Sequence, residues 1–314
     1  MSSILTNTAA MTALKSLQST NSAIETTQAR ISTGKAVSQA SDNAAYWSIA
    51  TTMRSDTKAL GTVQDALGLG AAKVDVAYTG INATLDVVDE IKSKLVAASE
   101  PGVDRSKIQS EIGELQNQLA SIAESATFSG ENWLSTDSSV AGYSATKSVV
   151  ASFNRASDGS VSLATIDIDT SSTVLFDAGT GTTEVGLLDT EYTVNNGATT
   201  PVAVTYTVAT LDITAANVDD TVLADMISNV DATVEALTTA ASDLGSSKQR
   251  INMQSEFVGD LMNAIDRGIG KLVDADMTEE STRLQALQVQ QQLGVQSLSI
   301  ANGNAQTILS LFQG

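Results

Sequence analysis

The chain has 314 residues, and neither cysteine nor histidine is among them. Without cysteine it has no disulfide framework and no thiolate metal site, so its folding does not depend on the redox state of its compartment. Without histidine it lacks the commonest general base and metal ligand. The residues that are present do not assemble into a nucleophile, a base and an orienting group. We therefore expect no enzymatic activity, no cofactor and no metal site.

Basic and aromatic residues are also scarce. Only 17 Lys and Arg stand against 36 Asp and Glu, and the formal net charge is -19. A nucleic-acid partner needs a positive field, and an anionic membrane surface needs one too, so both are disfavoured. No stretch is apolar enough to predict a membrane-spanning helix, and no Sec-type signal peptide is recognised at the N-terminus. With 4% aromatics and two prolines, the core is expected to consist of Leu, Ile, Val and Ala in long helices.

Long helices are predicted from the spacing of apolar residues. Between Met53 and Leu95 they recur in an alternation of four and three, which is the seam of a bundle or coiled-coil helix. A Pro101–Gly102 turn ends this helix, and the same rhythm over 108–126 predicts an antiparallel second helix. A third long helix is predicted over 230–272. Residues expected to pack in these seams are Leu60, Leu67, Val74, Leu85, Leu95, Ile251, Val258 and Ile265.

Between about 127 and 217 an alternation with period two replaces the helical rhythm. Segments 148–153 and 160–168 flank a turn-rich linker, NRASDG, which predicts a β-hairpin. A second hairpin is predicted around Asn196–Gly197, with alternate residues of its following strand on one face: Val202, Val204, Tyr206 and Val208. The predicted fold class is therefore mainly α, with long bundle helices from both termini and a β-rich insertion.

The two ends of the chain are almost bare of charge. From Leu284 to Gly314 there is no Asp, Glu, Lys or Arg, and only Lys15 is charged before Glu25. Burying an unpaired charge is costly, whereas a buried amide is tolerated if a neighbour supplies a hydrogen bond. We expect both ends to be covered by other copies of the chain, the alternative being a hairpin inside one closed bundle. The residues predicted to carry the assembly are Leu14, Leu17, Ile24, Ile31, Leu284, Leu287, Leu298, Ala301, Ile308 and Phe312.

Paired carboxylates are the remaining candidates for chemistry. The pairs are Asp167 with Asp169, Asp219 with Asp220, and Asp274 with Asp276. The stretch DADMTEES, which begins at Asp274, lacks the glycine and ligand spacing of an EF-hand loop. We interpret Asp274 and Asp276 as capping residues at the start of the C-terminal helix, where negative charge suits the helix dipole.

Three separated motifs point to a family. RISTGKAVSQASDNAA at 30–45 is similar to an Arg-Ile-Ser-x-Gly motif followed by Asp-Asn-Ala-Ala, and TFSGENWL at 127–134 is similar to a segment that opens a β-hairpin. Residues 273–314 have an acidic DAD stretch, a helix and Leu-Ser-Leu near the end. Together these motifs resemble bacterial flagellins, in particular those of alphaproteobacterial soil and plant-associated species. The resemblance covers about 1–135 and 218–314.

The resemblance implies three domains. Residues 1–45 and 273–314 would form an inner terminal-helix domain that lines a filament core. Residues 46–145 and 218–272 would form a helical shell domain with a β-hairpin. Residues 146–217 would form a small variable outer β domain. Eleven acidic and two basic residues lie between 135 and 220, and such a surface would keep filaments from adhering to one another.

The resemblance also implies a function and partners. The chain would be a secreted, extracellular flagellin that polymerises with itself, alone or together with other flagellins, into the flagellar filament. Its other partners would be the flagellar cap, junction proteins, an export chaperone and the type III export apparatus. In many flagellins an Arg before a Glu-Leu-Ala-Val stretch serves recognition by an animal Toll-like receptor. We align Ile91 with that Arg, so weak or no receptor recognition is expected.

Three alternatives are open at this point. A hook–filament junction protein shares similar helical ends. A secreted adhesin or enzyme could be displayed on a helical stalk, although the insertion has no catalytic constellation. A soluble helical adaptor would be a monomer with protease-resistant ends.

Overall fold

A computed structural model describes residues 7–156, 158–179, 186–198 and 201–313, with the backbone alone described for 304–313. Its helices are α1 (Thr8–Thr33), α2 (Ala44–Ala98), α3 (Arg105–Ser125), α4 (Asp220–Val273) and α5 (Met277–Gln313). Its strands are β1 (Thr127–Phe128), β2 (Glu131–Asn132), β3 (Ser135–Thr136), β4 (Thr146–Arg155), β5 (Val161–Asp169), β6 (Phe176–Asp177), β7 (Tyr192–Asn195) and β8 (Ala203–Tyr206). The predicted fold class, mainly α with a β-rich insertion, is confirmed.

The chain divides into two compact units. One takes the residues up to Lys58 and from Leu261 onward, and the other is Ala59–Asp260. The three-domain layout drawn from the resemblance remains a prediction.

Polar caps and one tight turn delimit the helices of the larger unit. Asp104 accepts a hydrogen bond from the Ser106 backbone N–H at 3.1 Å and caps the start of α3. Before it, Gly102 has a φ of 92°, a left-handed conformation that glycine adopts without strain. The predicted Pro-Gly turn between two helices is therefore confirmed.

Helices α2 and α4 run antiparallel within the larger unit. The Lys248 ammonium lies 2.6 Å from an Asp75 carboxylate oxygen, and near the opposite end of this unit Lys92 pairs with Asp231. The buried seam of α2 alternates three and four residues: Leu60, Val63, Leu67, Gly70, Val74, Ala77, Ile81, Thr84, Val88, Ile91, Leu95 and Ala98. The predicted positions Leu60, Leu67, Val74 and Leu95 are thus buried as expected.

Every second position of the predicted seam is displaced by one residue in the structure. Leu85 is only half-buried, and Thr84 takes its place in the core. Helix α4 shows the same displacement, since Thr233, Ala240 and Ser247 are buried beside Leu237 and Leu244. Small residues at these positions let two helix backbones approach closely. A search for apolar residues passes over such positions, which is why Leu85 was assigned to the seam.

The β-rich insertion contains two-stranded ladders and no larger sheet among the described residues. Strands β4 and β5 form an antiparallel hairpin with a register shift between Val150 and Ser152, and β7 and β8 form a second hairpin. Both predicted hairpins are therefore confirmed. Strands β1 and β2 pair across a Ser129–Gly130 turn, and β3 pairs in parallel with β6.

The long hairpin packs against the helices of its own unit. A Cβ added to Gly70 of α2 would lie 2.5 Å from Val149 Cγ1, so this glycine allows β4 to approach the helix. On the other helix, the Gln254 side-chain amide donates to the Ala151 carbonyl at 3.0 Å. Strand β4 therefore covers both α2 and α4, which helps to close the core.

Candidate assembly interface

The unit that holds both chain ends has a small apolar cluster. Val37, Ala50, Ile269 and Val273 are buried in it, and Met53, Ile265 and Leu272 pack around them. Ile265 was predicted as a seam residue of the long helices, and the structure places it in this cluster. The cluster joins the start of α2 to the end of α4 and leaves α1 and α5 to pack on each other.

Backbone hydrogen bonds connect the end of α1 to the start of α5. Gly34 caps α1 with a φ of 70°, and its carbonyl accepts from the Ala275 N–H at 3.0 Å. The Ala36 N–H donates to the Val273 carbonyl at 2.7 Å, and Lys35 forms an isolated antiparallel bridge with Asp274. This junction, residues 34–37 with 273–275, places the two terminal helices next to each other.

Helix α5 begins at a single capping carboxylate. Asp276 accepts from the backbone N–H groups of Thr278 at 2.9 Å and Glu279 at 3.2 Å. These hydrogen bonds, that of Glu279 foremost, hold the pKa of Asp276 below its usual value. The predicted capping role is found for Asp276, whereas Asp274 lies in the backbone bridge.

Helices α1 and α5 pair in antiparallel orientation. The Asn7 side-chain amide donates to the Ala301 carbonyl at 2.9 Å, and the Gln291 amide donates to Asn21 Oδ1 at 2.8 Å. Between these contacts Gly294 faces Leu17, since a Cβ added to Gly294 would lie 3.9 Å from Leu17 Cβ. The two ends of the chain are therefore neighbours, as the terminal heptads predict.

The seam between α1 and α5 is only partly closed. Ile24 and Thr27 are buried, but Leu14 is 46% exposed. Half-buried positions of the seam are Leu17, Ile31, Leu284, Leu287, Leu298 and Ala301. Ile308 and Phe312 lie in the segment whose side chains are outside the described residues. One chain alone therefore leaves much of the predicted assembly surface open to solvent.

Helix α5 carries a second apolar face, which we call the outer stripe: Val289, Leu293 and Ile300. These side chains are 55%, 59% and 61% exposed, respectively. Each lies two residues from a seam residue, which is about 200° around an α-helix. The outer stripe thus faces away from α1. An amphipathic surface helix has one apolar face, so the second one needs a further partner.

Charge on this helix pair is concentrated at its base. The Arg30 guanidinium lies 3.1 Å from Glu280 Oε1, and Arg283 lies 3.6 Å from the same oxygen. Arg283 also contacts Glu279 at 2.7 Å. Beyond Arg283 the helix has no charged residue. The outer stripe can therefore be buried without burying a charge.

The other described surfaces show fewer features of a binding site than the terminal helix pair. The described residues contain no cluster of three or more acidic side chains placed to hold a metal ion, and none of the described helices is long and apolar enough to cross a membrane.

An open groove lined by Glu90, Lys94 and Glu111 lies between α2 and α3. Ile91, next to that groove in sequence, has no exposed surface. It is a core residue of the α2 seam, so a receptor could not contact its side chain on the folded chain.

Comparisons with known proteins agree with this arrangement. The family model for the bacterial flagellin N-terminal helical region matches residues 4–139, and that for the C-terminal helical region matches residues 227–312. The chain belongs to the bacterial flagellin family. Flagellin C of Rhizobium meliloti (strain 1021) is 53% identical, and Flagellin A of that strain is 45% identical. A flagellin of Brucella melitensis biotype 1 is 44% identical. Each alignment covers 100% of both chains.

The family matches coincide with the helical ends of this flagellin. They include α1, α2, α3 and α5 and most of α4, and they leave 140–226 unmatched. Sequence reasoning found the uncharged ends and their heptads, but not the burial of Glu280 or the contact between Gly294 and Leu17. Glu280 is charged and stands in an acidic stretch, so its burial has no signal in the local sequence. Gly294 lies in the C-terminal heptad, seven residues from Leu287 and from Ala301, but nothing in the sequence marks it as the position that faces Leu17.

Proposed function

We propose that this flagellin is the structural subunit of a bacterial flagellar filament and that it polymerises with copies of itself through its terminal helices. The observation that carries the proposal is the outer stripe. An uncharged helix with a second exposed apolar face, opposite the face already packed on α1, is suited to burial by neighbouring subunits. Repetition of one interface without closure of a ring produces an open helical tube.

The finer parts of the proposal rest on the family. Subunits would leave the cell through the flagellar type III export apparatus, with an export chaperone, and would add at the growing tip beneath the flagellar cap. Junction proteins would connect the filament to the hook, and other flagellins could join the polymer. The absence of cysteine suits a chain that is threaded unfolded, since no disulfide has to form afterwards. The acidic insertion would face the medium, and Toll-like receptor recognition would be weak or absent.

The outer stripe can be tested with one substitution that leaves the α1–α5 seam intact. Leu293→Glu places a charge on the stripe, and burial of an unpaired charge costs about 3 kcal/mol or more. We expect the critical concentration for polymerisation to rise at least about 100-fold. Electron microscopy after seeding would show few or no filaments. Leu298→Glu, which also disturbs the seam, should abolish polymerisation.

A matched control is available in the insertion. Val140 is 58% exposed, close to the 59% of Leu293, and it lies outside the terminal helices. Val140→Glu should polymerise like the parent chain. Circular dichroism of Leu293→Glu and Val140→Glu should match that of the parent, which separates assembly from folding. Filaments of normal length and critical concentration from Leu293→Glu would contradict the proposal.

A further inference from the structure

One turn of the insertion contains a dipeptide that can react spontaneously. Asn196–Gly197 lies directly after β7, and the sequence has one other Asn-Gly, at 302–303. In such a pair the backbone nitrogen of the glycine can attack the side-chain carbonyl carbon of the asparagine. Glycine has no Cβ, so it leaves this nitrogen unhindered. This turn is therefore where the sequence of the insertion most favours deamidation.

The reaction replaces the side-chain amide of Asn196 with a carboxyl group. The Gly197 N–H gives its proton to hydroxide, a bond forms between the Gly197 nitrogen and Asn196 Cγ, and the displaced NH2 group takes up a proton and leaves as ammonia. Water then opens the resulting succinimide to aspartate or isoaspartate. The rate depends on whether the Gly197 N–H is free and whether the Asn196 side chain can turn toward it.

The packing of the turn requires both residues. A Cβ added to Gly197 would lie 2.9 Å from Thr221 Oγ1 and 3.3 Å from Asp219 Oδ2, so a side chain there would displace the turn from the start of α4. Asn196 is buried, and its Oδ1 accepts from the Val202 N–H at 2.8 Å, which closes the turn. The contact between this hairpin and α4 thus depends on a labile pair of residues.

The same contact restrains both reacting groups. The Gly197 N–H donates to Asp219 Oδ2 at 2.8 Å, and the Asn196 side chain is held by the hydrogen bond that closes the turn. Asp219 is itself fixed, because its Oδ1 accepts from the Thr221 N–H at 3.1 Å and the Val222 N–H at 3.0 Å and so caps α4. The carboxylate therefore ties the reactive nitrogen to the start of a long helix.

A carboxylate beside an amide N–H could promote the reaction as a base or suppress it as an acceptor. Asp219 is far too weak a base to remove an amide proton, since hydrogen bonds from the backbone N–H groups, that of Val222 foremost, hold its pKa below the usual value. As an acceptor it keeps the proton on the nitrogen, and its negative charge opposes the nitrogen anion that has to form. Suppression is the stronger effect.

We propose that Asn196 is a deamidation site and that Asp219 suppresses its reaction by holding the Gly197 N–H. The product would undo the contact. Aspartate and isoaspartate both add a negative charge to the turn that contacts Asp219, and isoaspartate also adds a carbon atom to its backbone. This role of Asp219 belongs to the single chain and does not depend on the proposed polymerisation.

Asp219→Asn removes the acceptor and keeps the helix cap. Asparagine caps a helix about as well as aspartate. Its single oxygen is needed by the two N–H groups of α4, so its NH2 group is left facing Gly197. Asp104→Asn is the matched control, because Asp104 caps α3 through the Ser106 N–H and makes no described contact with the turn.

Each full-length chain would be incubated in mildly alkaline buffer, and conversion of Asn196 would be followed by peptide mapping with mass spectrometry. The urea-unfolded parent gives the unrestrained rate, with Asn302–Gly303 as an internal reference of the same dipeptide. We expect the folded parent to react at least about tenfold more slowly than the unfolded chain. Asp219→Asn should react about tenfold faster than the folded parent, as loss of a hydrogen bond to a charged group predicts. Asp104→Asn should react like the folded parent.

Equal rates in the folded parent and Asp219→Asn would overturn the proposal, and so would a folded parent that reacts as fast as the unfolded chain. An equal rise in Asp104→Asn would also overturn it, because loss of a capping charge, and not of the Gly197 contact, would then govern the rate. Seeded polymerisation of the parent chain tests the proposed function separately, so either proposal can fail without the other.

Discussion

The unit of residues 59–260 and the terminal helix pair are built on the same heptad rhythm, yet they bury it to different extents. In the larger unit Leu67, Leu95, Ile112 and Leu119 have no exposed surface. In the terminal pair Leu17 and Leu298 are half-buried. The larger unit has a third helix and a hairpin packed on its two long helices, whereas α1 and α5 pair with each other along the part of their length that the structure describes. Two helices cannot enclose a core, and under the proposed function neighbouring subunits would bury the rest of their surface.

The largest expected effect is the loss of folding stability when the closed seam of the larger unit is mutated, compared with a mutation on the outer stripe. Leu67→Ala should lower the free energy of unfolding by about 2–5 kcal/mol, because it leaves a cavity in a close-packed core. Leu293→Ala on the outer stripe should change it by less than about 0.5 kcal/mol in the free chain. Urea denaturation followed by circular dichroism measures both. Equal costs would mean that the outer stripe is already buried in a single chain.

The next effect concerns how the hairpin closes the larger unit. Gly70→Ala would push a methyl group into Val149, a stiff β-branched side chain on β4, and should cost about 1–3 kcal/mol. Gly68 lies in the same helix and has open space at its Cβ position. Gly68→Ala should therefore stabilise the chain by up to about 1 kcal/mol through helix propensity. Thermal unfolding would rank the two, and stabilisation by Gly70→Ala would contradict the close approach of β4.

A smaller effect tests the displaced seam. The Thr84 hydroxyl is buried without a hydrogen-bond partner among the described residues, so Thr84→Val should stabilise by about 1 kcal/mol. The control is Thr233 on the facing helix, whose hydroxyl donates to the Asn229 carbonyl at 3.0 Å. Thr233→Val should not stabilise. If both variants behaved alike in urea denaturation, the two hydroxyls would not differ in burial and bonding as described.

The smallest expected effect is the pH dependence of the stability that the α5 cap contributes. Because the pKa of Asp276 is lowered in the folded chain, its stabilising contribution is present above its unfolded pKa of about 3.9 and is lost as the pH falls through the folded value. Asp276→Asn keeps a capping oxygen that does not titrate. The stability difference between parent and variant should therefore be constant above about pH 5 and shrink in stronger acid. A difference independent of pH down to pH 2, in acid titration by circular dichroism, would exclude this role for the carboxylate.

Much of the fold was predictable because it depends on local pattern. The Pro101–Gly102 turn, the hairpin around NRASDG and the long helices follow from residue types a few positions apart. The seam was predictable only by half. Seam positions seven residues apart, such as Leu60 and Leu67, follow from the heptad repeat. The seam position between them can lie three or four residues after the first, and periodicity does not distinguish these two alternatives. Packing against the facing helix selects the alternative with small residues such as Thr84.

The candidate site divides in the same way. The uncharged ends and their apolar heptads were visible in the sequence, as was the capping role of Asp276. Of the outer stripe, only Ile300 was visible in the sequence, as an apolar residue off the seam. Its position opposite the seam, and the burial of Glu280 beside Arg30, required the α1–α5 pairing. Ile91 illustrates the same limit, because a motif alignment cannot show that a side chain is buried.

The sequence by itself determined which stretches are helical, where the chain turns, and which helices exclude charge, since these depend on neighbours within one or two turns. The tertiary structure decided which helices face each other, in which register, and which apolar face stays uncovered. Those properties depend on contacts between residues as far apart as Asn7 and Ala301, and an apolar pattern favours burial without specifying the partner.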